Sequence, residues 1–258
     1  MITVRMAAWV QVAVVLVAVL NLAIMAGEPP AEEVNRRPST YAPAKDLESQ
    51  VQFFLERIKD ELKDESAYGE ESVKRVQRDA NTLAVLALVL GKHDEANRYQ
   101  SSAATLLASA LKLAEQSQDF KEAQSAHAKL VESLDAASGS RDLAWKSVGS
   151  IVDLMHQVPT LSTKLKGIVG SEERFQKGRD EAAGLAATLA AISQISIFDD
   201  GYCNDQADQA EWVEVCGLMR DAAYDINQAV RRGDQQAAKD AIKPLNRTCS
   251  GCHDQFKD

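Results

Sequence analysis

Cys249, Cys252 and His253 are the residues whose types and spacing can do chemistry. They close the run Leu245, Asn246, Arg247, Thr248, Cys249, Ser250, Gly251, Cys252, His253, Asp254, Gln255, Phe256. Cys-x-x-Cys-His is the pattern of c-type haem attachment. Two thiols at that spacing can add across the two vinyl groups on one porphyrin edge, and the adjacent imidazole then swings under the ring to bind iron. A ligating imidazole is neutral, and its second nitrogen normally needs an acceptor. A zinc site would require four ligands, and no second Cys or His pair lies at suitable spacing. A thioredoxin-like pair would sit near a βαβ pattern, which the chain lacks. The expectation is one covalent haem c, with its iron, at Cys249, Cys252 and His253.

The elements that must position this motif are helical. The chain has 258 residues, which allows one large domain or two modest ones. Aromatic residues make up 5%, with 13 Gly and 6 Pro, a balance that favours helix and excludes an all-β fold. A net charge of -9 argues against a nucleic-acid partner, because binding to phosphates draws on Lys and Arg. No nucleophile–base set, phosphate-cradling Gly loop or paired-carboxylate arrangement stands out, so the chain does not read as an enzyme.

Apolar stripes at helical spacing begin at Asp46: Leu47, Val51, Phe54, Leu55, Ile58 and Leu62; then Val73 to Leu90, stopping at Gly91. Ala103 to Leu113 and Phe120 to Leu134 follow, and Gly139 ends the series. The same order then repeats. Leu143, Ser147, Ser150, Ile151, Leu154 and Val158 form a stripe that stops at Pro159. Arg179 and Asp180 echo Arg78 and Asp79, Met219 to Val230 form the third stripe, and Asp234 to Leu245 matches Asp119 to Leu130. The fold expected is all-α, two tandem antiparallel four-helix bundles at 45–138 and 139–258.

Before them, Met6 to Ala26 is an apolar run after the single charge Arg5. It reads as a signal peptide or a membrane anchor over 1–26, and either places the remainder outside the cytoplasm, in a periplasm or its equivalent. Residues 27–44, with Pro29, Pro30, Pro38 and Pro43, read as a flexible linker that buries nothing.

A Cys-x-x-Cys-His motif at the end of the last helix of such a bundle, followed by a short Phe-Lys-Asp tail, resembles the class II c-type cytochromes, the cytochrome c′ type and its low-spin relatives. The resemblance covers about Ser140 to Asp258 and is most specific over Ala237 to Phe256. It implies thioether anchors at Cys249 and Cys252 and the proximal iron ligand at His253. The chain departs from the family at Pro159 to Gly170, which reads as an insertion. In the family, a Met from the first helix gives a low-spin electron carrier, whereas an apolar residue leaves iron open to small gases such as nitric oxide. The candidates lie between Val148 and Met155. Met155 is the one thioether; Val148, Ile151 or Val152 would leave the distal face open, and His156 is expected to face water. Electron transfer leads, with gas binding and a partner-docking role of the first bundle as alternatives. The acidic surface suggests a redox partner with a basic patch, and a homodimer, as class II relatives often form, stays open.

The first bundle looks like a haemless copy. Leu134, Ala137 and Ser138 fall opposite Cys249, Cys252 and His253. Val51 and Phe54 fall opposite Ser147 and Ser150, as if large side chains fill the porphyrin's space. Cys203 and Cys216 suggest a disulfide in an oxidising compartment. His93 and His127 read as surface residues, and Trp145 and Trp212 as core aromatics that could also reach a porphyrin.

Overall fold

A computed structural model of the chain describes residues 31–136 and 143–256. The expected leader over 1–26, the boundary at 138/139, Gly139 and the counterparts Ala137 and Ser138 lie outside the described residues. No strand occurs among the described residues, and the all-α expectation holds. The helices are α1 (Ala31–Val34), α2 (Ala44–Glu61), α3 (Glu70–Gly91), α4 (Ala103–Gln116), α5 (Phe120–Ser133), α6 (Ile151–Gly170), α7 (Glu172–Ser196), α8 (Gln206–Arg232) and α9 (Gln235–Phe256).

Local chemistry sets most boundaries. Asp119 accepts from the amides of Lys121 and Glu122 at 2.9 and 3.0 Å, and Asp205 does the same for Ala207 and Asp208 at 2.8 and 3.0 Å. Each carboxylate satisfies donors that a helix start leaves free. Asp234 accepts from the Ala237 amide at 2.9 Å and so opens α9. Gly233 ends α8 at φ 76°, a left-handed position that a side chain resists.

Helices α2 to α5 pack in chain order, as do α6 to α9, with α2 against α5 and α6 against α9 closing each set. The sets also meet. Helix α7 touches α2 and α3, and α3 touches α6. That junction explains two segments with no exposed face: Asp79 to Leu90 in α3 and Ala182 to Ser196 in α7 are buried throughout. A helix apolar all round must be covered on every side. Small side chains at Ala183, Gly184 and Ala187 let α7 approach its neighbours; a Cβ on Gly184 would lie 2.3 Å from Nε2 of Gln50 on α2. The buried side chains of both halves therefore form one continuous core, each full-length Leu in it contributing roughly 1.5–3 kcal/mol.

Four sequence expectations are corrected. Residues 31–44 of the supposed linker bury Pro38, Tyr41, Ala42 and Ala44. They form a strap: Glu33 pairs with the fully buried Arg220 of α8, whose guanidinium lies 5.7 Å from the Tyr41 ring, while Ser39 donates to Asp94 across the first half. The first helix of the second half begins at Ile151, not Leu143. Ser150 stops the extended 143–150 segment by accepting from the Asp153 amide at 3.2 Å, and the helix runs through Pro159 to Gly170, absorbing the supposed insertion. Burial of Leu161, Leu165 and Val169 beyond Pro159 outweighs the missing backbone bond. Consequently the pairing of Val51 and Phe54 with Ser147 and Ser150 fails. Phe54 is core, but Ser147 donates to Asp199 at 3.0 Å and Ser150 is the cap. Finally, His93 is buried, its Nε2 donating to the Ala42 carbonyl at 2.9 Å while Nδ1 accepts from the Glu95 amide at 3.0 Å. His127 is half-buried, and its Nε2 is shielded without a partner.

Candidate functional site

Helix α9 presents Cys249, Cys252 and His253 at its last turns. The first cavity, about 380 Å³, is bounded by Val152, Met155, Tyr202, Trp212, Cys252 and Phe256, with His156, Pro159 and His253 at its rim. A second, about 200 Å³, continues inward past Met155, Trp212, Cys216, Met219 and Cys249. Met155, Pro159, Trp212, Cys252 and His253 line both. Their combined size falls among cofactor-sized clefts, roughly 300–1,000 Å³, and most of the exposed wall is apolar, with Ser162, Thr163, Lys166, Ser193, Asn246 and Thr248 as polar members of the inner cavity.

Each wall has a local cause. On α8, Trp212, Cys216 and Met219 follow helical spacing and face inward together. Trp212 is fixed by its indole nitrogen, which donates to the Ser196 carbonyl at the end of α7, 2.7 Å away. Phe256 lies one turn beyond Cys252 and meets the Trp212 ring edge-on at 5.2 Å between centroids. On α6, Pro159 carries no N–H, so the Met155 carbonyl lacks its helical donor.

The motif thiols both line the inner cavity but touch different apolar clusters. Cys249 packs against the main core, whereas Cys252 packs with Cys203, Cys216 and Trp212 in a separate apolar cluster. Burial pushes the thiols of Cys249 and Cys252 up from the usual range, and that of Cys216 further. Cys203 and Cys216 come together as the sequence suggested, yet both are free thiols in the structure, so the expected disulfide is not formed there. Trp145 lies away from the cavities, stacked on Phe198 at 6.1 Å. Among the candidate distal positions, Val148 is buried in the main core and Ile151 joins the separate cluster. Val152 lines the outer cavity and is 51% exposed. Met155, which the sequence placed too far along its helix, lines both cavities together with His253.

The donor set fits a haem. Two thiols, an imidazole and a thioether, from Cys249, Cys252, His253 and Met155, line the same inner cavity. Among the described residues no group of three or more His, Cys, Asp or Glu could hold a metal ion by itself, so His253 lacks the companion donors of a protein-only centre. Residues 153–257 match the family model of cytochrome C′. No curated protein and no solved structure matches the chain. The matched stretch opens at Asp153 in α6 and ends just past Phe256, so it contains every residue lining the two cavities except Val152. The second half is thus similar to cytochrome c′, a family of haem-binding c-type cytochromes, and the family implies haem with its iron as the cofactor.

Sequence reasoning missed Tyr202, Cys216 and Phe256 as wall residues. Phe256 and Cys216 had a legible signal, lying four residues from Cys252 and Trp212 on the same helix faces. Tyr202 sits in the α7–α8 loop, where no periodicity points.

Proposed function

We propose that this chain is an electron-carrying c-type cytochrome with one covalent haem, and that it works outside the cytoplasm. The observation that carries this reading is that Met155 and His253 line the same two cavities. Haem bound there supplies a reversible one-electron change at iron. The chain's own residues do the rest. Cys249 and Cys252, three residues apart on α9 and both lining the inner cavity, would hold the macrocycle edge covalently. His253 and Met155 would supply donors to its iron, and Trp212, Cys216 and Met219 wall the inner cavity against water, with burial and ligand identity tuning the potential.

Tyr202, 42% exposed, and Val152 leave the cavity mouth open to a partner. Asp199, Asp200, Asp205 and Asp208 crowd the loop that carries Tyr202. A redox partner with a basic patch suits that border, steered by charge at low salt. The extracytoplasmic location rests on the apolar run before residue 27; among the described residues no helix is long and apolar enough to cross a membrane.

The test is the optical spectrum of the reduced full-length protein with and without carbon monoxide. An unchanged low-spin spectrum is expected. A spectrum that shifts on carbon monoxide addition overturns the Met155 assignment and favours gas binding at an open distal face.

A further inference from the structure

The haemless half grips the helix that carries Met155 on both sides of that residue. From α3, Asn81 Nδ2 donates to Asp153 Oδ2 at 2.8 Å, and Asp79 Oδ1 accepts from Gln157 Nε2 at 2.8 Å. Asp153 and Gln157 stand two residues before and two after Met155. Asp79, Asn81 and Gln157 are each at least 96% buried, so the Asp79–Gln157 contact is shielded from water and the Asn81–Asp153 contact partly so. The grip extends upstream: a Cβ on Gly149, which has φ 79°, would lie 2.9 Å from Asn81 Oδ1, so the chain entering α6 runs directly over Asn81. Behind Asp79, Arg57 Nε of α2 lies 3.1 Å from Oδ2, yet its N–H is not aimed there and that oxygen accepts no hydrogen bond. A carboxylate left half-satisfied in the interior costs free energy. Its placement is therefore not explained by stability of the first half alone.

We propose that Asp79 and Asn81 are positioning residues for the distal ligand, and that the haemless half serves as a brace holding Met155 at the depth and rotation needed to face His253. The inference rests on the assignment of Met155 as distal ligand. Metal donors need outer partners that fix their orientation, and a thioether on a flexible side chain is the donor that gains most from a fixed backbone. Two hydrogen bonds four residues apart on one helix face fix both translation along the helix axis and rotation about it, which one could not do.

The test uses the full-length haem protein and reads two quantities: the visible charge-transfer absorption that a thioether–iron bond gives in the oxidised state, and the share of reduced protein that binds carbon monoxide. Asp79→Leu combined with Gln157→Leu removes one contact without stranding the Gln157 amide, leaving Arg57, 28% exposed, to turn to water, and Asn81→Leu removes the other. Combining all three is expected to weaken the absorption and raise carbon monoxide binding about tenfold, as a shift toward a detached Met155 requires. Asp79→Asn keeps an oxygen that accepts from Gln157 and is expected to retain the parent spectrum. Asn227→Leu cuts a separate junction contact, the 2.7 Å bond to Asp46, and is expected to lower melting temperature without moving either haem readout. If the triple variant behaves like Asn227→Leu, the brace is overturned while the Met155 assignment stands. If Met155→Ala itself leaves both readouts unchanged, the assignment falls and the brace with it.

Discussion

Trp212 on α8 is tied by its indole N–H to the Ser196 carbonyl on α7, so the ring that walls both cavities is held by the helix in front of it as well as by its own. Replacing it with Phe keeps most of the ring and strands a buried carbonyl. Trp212→Phe is expected to cost about 1–2 kcal/mol, and Trp212→Ala about 3–5 kcal/mol through the cavity left behind. Chemical denaturation checks both, and haem retention is expected to suffer only in the Ala variant.

Burial raises the Asp79 carboxyl from 3.8 to about 6, with the Arg57 charge and the Gln157 hydrogen bond opposing the shift. A carboxyl with a raised folded-state pKa binds its proton more tightly in the native chain than in the unfolded one. Its contribution is therefore largest below about pH 4 and is lost as pH rises through about 6, a change of roughly 3 kcal/mol for the group alone. Exposed carboxylates with lowered values, such as Glu33 and Asp94, act in the opposite sense. The clean measurement is the difference between parent and Asp79→Asn melting curves from pH 4 to 8. The Asn variant is expected to gain on the parent as pH rises; a constant difference would contradict the assignment.

Arg220 is wholly buried, with Nη1 donating to Gln194 Oε1 at 2.6 Å and Nη2 to Glu33. Removing it leaves Gln194 and the strap carboxylate without their partner. Arg220→Ala is expected to cost roughly 3 kcal/mol, while Glu33→Gln, at the half-exposed end, costs about 1 kcal/mol or less. Limited proteolysis within residues 31–44 offers a second readout, with faster cleavage expected in Arg220→Ala than in Glu33→Gln.

Gly233 turns the chain from α8 into α9 at φ 76°. Gly233→Ala is expected to cost about 1–2 kcal/mol from the left-handed conformation alone, and the new Cβ would press on the Arg179 guanidinium at 3.2 Å. Arg179 donates to the carbonyls of Val230 and Arg231 at 3.1 and 2.6 Å, so the variant strains the end of α8 as well as the turn. Thermal melting of the haem protein would show the loss.

Much of this was legible before any coordinates. The apolar spacing of α2 to α5 and of α7 to α9, the stop at Gly91 and the haem motif all follow from local chemistry. The junction is legible too: Leu83, Ala84, Val85, Leu86, Ala87, Leu88, Val89 and Leu90 have no polar face, and such a helix needs neighbours beyond its own bundle. What stayed hidden depends on distant partners. Pro159 signals a helix stop locally, and only the packing of Leu161 and Leu165 carries the helix past it. Pro38 and Pro43 suggest a tether, and nothing near them in sequence announces Arg220, almost 180 residues on. Met155 was recognised as a ligand candidate but placed by a helix start eight residues too early, because the serine cap at Ser150 resembled another position in the stripe.

The shared core described for the two halves has a thermodynamic consequence. Leu86 of α3 and Leu189 of α7 belong to the same buried network, so the first half cannot open without uncovering surface that the second half needs closed. Any ligand that favours the folded second half then stabilises both by mass action. Capture of the cofactor at α9 should slow amide exchange at Leu86, in a helix that never touches it. The two halves, sharing one core, are expected to melt as one.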